Sequence, residues 1–81
     1  MAQIDINNFN QKEKERYSLQ KKIDSSYFVF TINGEKYFQI DSYGSSDRKT
    51  PGKTSQTIQF DMNVAKKLVE ILNREFNLSK K

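Results

Sequence analysis

The middle of the chain alternates apolar and polar side chains with the period of two that predicts β-strands. Residues 27–32 read Tyr-Phe-Val-Phe-Thr-Ile, a run dense in the aromatic and β-branched side chains that strands favour. Residues 36–41 and 56–60 alternate in the same way. Residues 12–24 are ambiguous, because Tyr17, Leu19 and Ile23 fall on alternate positions while the charged residues 12–16 would also suit a helical turn. We interpret residues 16–23 as the first of four strands.

An Asn-Gly dipeptide between the second and third predicted strands marks a hairpin turn. A two-residue loop would pair Phe30 with Tyr37 and divide the apolar side chains between both faces. A three-residue loop would pair Phe28 with Phe38 and collect the apolar side chains on one face. Because a one-residue slip exchanges the faces, the buried pattern favours the three-residue loop. That register predicts an outer face that carries Tyr27, Val29, Thr31, Tyr37, Gln39 and Asp41.

A helix is predicted after the last strand. Asp61 is a favourable N-cap, since its carboxylate can accept a hydrogen bond from a backbone N–H of the first turn. The helix should continue to Phe76 or Asn77. Its apolar stripe has the spacing of three or four residues that one helix face requires. The stripe consists of Val64, Ala65, Leu68, Val69, Leu72 and Phe76.

These elements predict the α+β class, with a four-stranded antiparallel curved sheet followed by one C-terminal helix, in the order ββββα. We expect residues 1–11 to form a flexible N-terminal arm, residues 12–78 a single domain and residues 79–81 a tail. One helix can cover only one face of such a sheet. The other face must therefore meet solvent, a ligand or another subunit, and in so short a chain we expect a homodimer.

Composition narrows the chemistry. The chain has no cysteine and no histidine, which removes disulfides, thiolate metal sites, the commonest general base and the commonest zinc ligand. We expect no enzyme activity, no cofactor and no metal. The beginning of the chain lacks the charged and apolar regions of a signal peptide, so a cytoplasmic protein is expected.

The net charge of +4 is concentrated in part in residues 42–55, a polar and basic stretch that predicts a long loop. Localised basic charge suggests a polyanionic partner, although it can also serve solubility alone. Lysine and arginine can hold phosphates, and tyrosines can stack on unpaired bases. The alternative is that the tyrosines cap a half-buried sheet or a dimer interface. The predicted nucleic-acid-binding residues are Lys36, Arg48, Lys49, Lys53, Tyr27, Tyr37 and Tyr43.

Two weaker motifs are also present. The sequence Pro-Gly-Lys-Thr at residues 51–54 is similar to the end of a phosphate-binding P-loop, but Asp47 stands where the first glycine is needed, and a strand follows instead of a helix. Asp41, Asp47 and Asp61 could form a nuclease-like metal site. The cap at Asp61 and the predicted strand end at Asp41 explain these carboxylates more simply.

The order of elements, with a basic loop before the last strand, resembles the positive-cofactor-four-like transcriptional coactivators. The resemblance covers residues 36–41, the loop through Lys53, residues 57–61 and the helix to Leu72. Lys53 and Ile58 stand for the family's lysine and isoleucine, but four residues separate them here and the glycine precedes the lysine. The resemblance implies single-stranded DNA binding, transcription regulation and a homodimer with strands at the binding surface. The competing function is a protein-interaction module, such as a small regulator, a phage-type inhibitor or a complex subunit, that uses the sheet face.

Overall fold

The computed structural model describes residues 1–44 and 54–78, which form an α+β arrangement of one sheet and one C-terminal helix. The strands are β1 (Ala2–Gln3), β2 (Ser25–Ile32), β3 (Glu35–Ser42) and β4 (Gln56–Phe60), and the helix α1 spans Met62–Phe76. The strand order is β1-β4-β3-β2. Neighbouring strands pair antiparallel except β1 and β4, which are parallel, so the sheet is mixed. The predicted purely antiparallel sheet is wrong in this respect.

The fourth strand comes from the N-terminal arm and not from residues 16–23, which form no strand in the structure. The ladder between β2 and β3 explains the difference. The N–H of Tyr43 donates to the carbonyl of Asp24 at 3.0 Å, and Ser25 already pairs with Ser42. Asp24 and Ser25 are therefore extended in the ladder and form no turn at the start of β2. The prediction of a strand over residues 16–23 is wrong for the single chain.

The turn between β2 and β3 contains two residues, so the prediction of a three-residue loop is wrong. Asn33 and Gly34 both have positive φ angles, of 54° and 82°, as a type I′ turn requires. The twist of this turn matches that of the flanking strands, and Phe30 consequently pairs with Tyr37. Local turn geometry outweighs the uniform apolar face that the sequence pattern favoured.

This register distributes the aromatic side chains over both faces of the sheet. A groove beside the start of α1 is lined by Val29, Phe38 and Phe60 of the sheet and by Met62 and Ala65 of the helix. We name the face that carries those three sheet residues the helix-side face and the other the open face. The helix-side face carries Tyr27, Val29, Lys36, Phe38, Ile58 and Phe60. The open face carries Phe28, Phe30, Tyr37, Gln39, Thr57 and Gln59.

The helix begins and ends as the sequence predicts. The carboxylate of Asp61 accepts a hydrogen bond from the N–H of Val64 at 3.1 Å, which confirms the predicted N-cap. At the other end Asn77 adopts the left-handed conformation, with a φ of 59°, that commonly terminates a helix. The described part of the chain has no helix that is both long enough and apolar enough to cross a membrane.

The hydrophobic core is small. Among residues 1–44 and 54–78, the only buried hydrophobic side chains are Phe60, which is 7% exposed, and Val64, which is completely buried. Large apolar side chains remain in water on the segment before β2, on β2 and on the helix. They include Tyr17, Leu19, Tyr27, Val29, Val69 and Phe76. A single chain therefore leaves much of the apolar surface that could stabilise it unburied.

The N-terminal arm lies along the outer edge of β4 and reaches the helix. The N–H of Ile4 donates to the carbonyl of Gln59 at 2.8 Å, which extends the pairing of β1 by one residue. The ammonium of Lys67 donates to the carbonyl of Phe9 and lies 5.5 Å from the centre of its ring. These contacts cover one edge of the sheet, and among residues 1–44 and 54–78 no strand pairs with the outer edge of β2.

Replacing Gly34 with alanine is expected to lower the free energy of unfolding by about 1–2 kcal/mol, because an alanine with φ near +82° is strained. Urea unfolding followed by circular dichroism measures the change. Gly34→Asn is the control, since asparagine tolerates this conformation and should lose less. Equal stability of the alanine variant and the original protein would contradict the type I′ turn.

Candidate nucleic-acid interface

Three aromatic rings form a row across the helix-side face. The ring of Tyr27 stacks on Phe38, with centroids 5.4 Å apart and planes 16° from parallel. Phe38 in turn stacks on Phe60, with centroids 5.1 Å apart. The inner end of this aromatic row is buried, whereas Tyr27 at its outer end, on the edge strand, is 70% exposed. Phe38 therefore supports the exposed ring of Tyr27 on one side.

Lys36 lies on the same face as the aromatic row. It pairs with Thr31 and lines the groove that also contains Phe38 and Phe60. Its side chain is exposed, so its ammonium can meet an anion. Asp61 lines the same groove, and its carboxylate reduces the positive potential there. The structure thus brings the predicted residues Tyr27 and Lys36 to one face.

Tyr37 lies on the open face, so the prediction that it shares a face with Tyr27 is wrong. Its ring is half-buried and stacks on Phe30, with centroids 5.9 Å apart. Its hydroxyl donates to the carboxylate of Glu35 at 3.1 Å. This hydrogen bond, burial and the negative charges of Glu35 and Asp61 raise the pKa of Tyr37 above its ordinary value. These contacts therefore disfavour the tyrosinate form further.

Tyr43 follows β3 and fastens the end of that strand to the beginning of β2. Its hydroxyl donates to the hydroxyl oxygen of Ser26 at 3.1 Å, and its N–H donates to Asp24. The residue is half-buried. These contacts give Tyr43 a structural role beside the base stacking that the sequence predicts for it.

The other predicted basic residues, Arg48, Lys49 and Lys53, lie outside the described residues. The structure does show where their segment leaves and rejoins the fold. The N–H of Ser55 donates to the carbonyl of Ser42 at 2.7 Å, so both ends lie together where β3 ends. Lys36 is near the other end of β3, about 20 Å away at the usual rise of a strand. The described geometry therefore does not bring Lys36 to the base of the basic segment.

Sequence reasoning missed a chain of polar side chains across the open face. Gln3 donates to Gln59 at 3.3 Å, and Gln59 donates to Gln39 at 2.8 Å. Gln39 and Thr57 each donate to Asp41 at 2.9 Å. This polar chain links β1, β4 and β3. Glutamines on alternate positions were visible in the sequence, but their contact depends on the strand register, which the pattern did not supply.

The polar chain also accounts for one of the acidic residues considered as metal ligands. Asp41 accepts two hydrogen bonds of the polar chain, and Asp61 accepts a hydrogen bond as the N-cap of the helix. No cluster of three or more acidic side chains that could hold a metal ion occurs in the part of the chain that the structure describes. Asp47 lies outside that part. The carboxylates of Asp41 and Asp61 thus serve the sheet and the helix.

Comparisons with protein-family models, curated proteins and solved structures find no match to this chain. The resemblance to the positive-cofactor-four-like coactivators stays a prediction from the residues.

Proposed function

We propose that this chain is a non-enzymatic, cytoplasmic nucleic-acid-binding protein that prefers single-stranded DNA, acts as a homodimer and serves in transcription regulation. The observation that carries the proposal is the aromatic row, in which the exposed ring of Tyr27 rests on Phe38 and through it on the buried Phe60. An exposed ring held by a stack from beneath is a suitable platform for an unpaired base.

The aromatic row supports a preference for single strands. Base stacking on an aromatic side chain is worth about 1–3 kcal/mol per base and tolerates any base, because each has a π-face. A base inside a duplex has both faces already stacked, so the duplex cannot offer it without unpairing. Because the contacts at Phe38 already restrict the ring of Tyr27, little side-chain entropy remains to be lost on binding.

Basic side chains would supply the salt-dependent part of the affinity. Lys36 lies beside the aromatic row, and the chain carries a net charge of +4. Arg48, Lys49 and Lys53 add phosphate contacts in the proposal, on the strength of the sequence. Glu35 and Asp61 oppose an anion near the turn and the helix start, so we expect moderate affinity at physiological salt.

The runner-up function, a protein-interaction module, is favoured by a different observation. No strand in the described part of the chain pairs with the outer edge of β2, and the apolar side chains of Val29 and Ile32 are more than half exposed. Open edges accept extended strands from other chains. A module of this kind would not need the basic residues of the 42–55 segment, and this difference separates the two functions experimentally.

The first experiment is fluorescence anisotropy with a labelled single-stranded DNA oligonucleotide at low and moderate salt, with duplex DNA and RNA of the same sequence alongside. The proposal expects the single strand to bind more tightly than the duplex and its affinity to fall as salt rises. Absence of binding even at low salt would contradict the proposal and favour a protein partner.

The double variant Arg48→Ala with Lys49→Ala is expected to weaken single-strand binding and to flatten its salt dependence. Each phosphate contact contributes about 0.7 to the slope of log affinity against log salt for a single strand, so the slope should fall by about 1.4. The same anisotropy titration, repeated at several salt concentrations, measures it.

Its matched control is Lys66→Ala with Arg74→Ala, which removes the same charge from exposed positions on the helix. The control should change the slope by much less. An unchanged slope in the Arg48 and Lys49 variant would remove the basic segment from the binding surface. Equal losses in both variants would show that only net charge matters.

A further inference from the structure

The outer edge of β2 carries unpaired backbone groups. The hydrogen bond from Tyr43 to Asp24 identifies residue 24 as a hydrogen-bonded position of the β2–β3 ladder, and such positions recur at every second residue. The odd-numbered residues of β2 therefore direct N–H and C=O away from β3. Because β2 is the last strand of the sheet, these groups, at Tyr27, Val29 and Thr31 among others, meet no strand within the described residues.

The segment directly before β2 has the pattern of a strand but pairs with no strand that the structure describes. Tyr17, Leu19 and Ile23 fall on alternate positions, and all three are exposed, Leu19 completely. Residues 16–23 form neither strand nor helix in the single chain. The segment does not fold back onto its own β2 in the structure, where Asp24 and Ser25 are extended and bonded to the end of β3.

We infer that residues 16–30 of two copies pair with each other as one antiparallel ribbon, with Ile23 on the two-fold axis. In this register residue i faces residue 46 − i of the second copy. The segment before β2 of each chain then covers the open β2 edge of the other. Since the two β3 strands lie on opposite outer sides of the ribbon, neither obstructs the pairing.

Side-chain chemistry selects this register over its neighbours. Tyr17 faces Val29 of the second copy, and Leu19 faces Tyr27, so exposed apolar side chains meet on the helix-side face. Leu19 then lies on the side of the Tyr27 ring that turns away from Phe38, so a base that stacks on Tyr27 has to displace the Leu19 side chain. On the other face Lys22 lies opposite Asp24, which pairs opposite charges. A shift by two residues in one direction would place Lys21 opposite Tyr27 and Lys22 opposite Ser26. A shift in the other direction would place Lys22 opposite Lys22 of the second copy, so both shifts lose the pairing of Lys22 with Asp24. The residues of the apolar contacts and of the opposite-charge pair are all exposed in the single chain.

The inference rests on the homodimer that the proposed function includes, and its test uses no nucleic acid. The chain has no cysteine, so single cysteines report pairing directly. Ile23→Cys places two thiols opposite each other in a hydrogen-bonded pair, where the Cα atoms are about 5.5 Å apart, a separation that a disulfide spans. Under mild oxidation it should form a disulfide-linked dimer at least tenfold faster than Ser18→Cys. In the ribbon the two copies of Ser18 lie about 33 Å apart.

A proline tests the same ribbon without oxidation. Leu19→Pro removes a backbone N–H that the ribbon needs, at a position that the folded single chain leaves fully exposed. Light scattering coupled to size-exclusion chromatography should give twice the 9.5 kDa chain mass for the original protein and a single chain mass for this variant. Glu13→Pro, outside the ribbon, is the control and should stay dimeric.

Any one of three results overturns the inference: a monomeric original protein, equal cross-linking of the two cysteine variants, or a dimeric Leu19→Pro variant. A monomer that still binds the oligonucleotide would refute the ribbon and keep the binding function. A cross-linked ribbon that binds no oligonucleotide would keep the ribbon and refute the binding function. The two proposals can therefore fail separately.

Discussion

Replacing Val64 with aspartate is expected to abolish the cooperative unfolding transition of this protein. Val64 is completely buried, so the new carboxylate would either lose its hydration without a partner or take up a proton at a large cost. A chain of this length has a total stability of about 4–12 kcal/mol, and its core is small. Circular dichroism during urea and thermal unfolding should show no sigmoidal transition for this variant.

Val69→Asp is the matched control, since Val69 is a valine of the same helix that is 56% exposed. It should unfold cooperatively, with a loss of about 0.5–1 kcal/mol from the lower helix propensity of aspartate. If both variants lost the transition, the helix face buried in solution would differ from the one that contains Val64. A normal transition in Val64→Asp would contradict the described core.

Tyr27→Ala is expected to lower the affinity for single-stranded DNA by roughly 5- to 150-fold, which corresponds to the loss of about 1–3 kcal/mol of base stacking. The variant removes the exposed end of the aromatic row and leaves Phe38 and Phe60 in place. Tyr27→Phe should keep most of the affinity, because the ring carries the stacking. Duplex DNA should lose less, since its bases are not free to stack.

The control for Tyr27→Ala is Phe76→Ala, which removes an aromatic side chain that is 68% exposed on the helix. We expect it to change the affinity less than twofold. Tyr37→Ala tests the open face separately, because its ring belongs to the other stacked pair. A loss in Tyr37→Ala with no loss in Tyr27→Ala would move the binding surface to the open face.

The helix and three of the strands follow from local features of the sequence. Asp61 is the cap that the sequence predicts, and β4 has the predicted limits. β2 begins two residues before the predicted strand, and β3 is one residue longer than predicted at each end. Short-range rules suffice here, because a cap, an alternation and an Asn-Gly turn each act over a few neighbouring residues.

The strand register and the fourth strand do not follow from the same rules. A large core would have favoured the register that collects the apolar side chains on one face. Among the described hydrophobic side chains, however, only Phe60 and Val64 are buried. Turn geometry at Asn33 therefore decides the register. The pairing of Ala2 with Ile58 involves a strand of two residues, which is too short to leave a periodic pattern.

The strand register decides which candidate binding residues share a face of the sheet. Tyr27 and Lys36 share a face in the structure, and Tyr37 lies on the other, because a change of one loop residue exchanges the faces of a whole strand. The residue types that suit nucleic acid were visible in the sequence. Their grouping was not, since it depends on how the two strands of the hairpin are aligned.

The docking of the N-terminal arm on β4 has a consequence for the order of events during synthesis. Gln3 and its partner Gln59 are separated by 56 residues, so the arm cannot pair until β4 has been made. At about 5–20 residues per second this takes roughly 3–11 s, far longer than the microseconds in which a β-hairpin forms. The β2–β3 hairpin needs only neighbouring residues, whereas the arm has to wait for β4, so we expect the arm to close the sheet last.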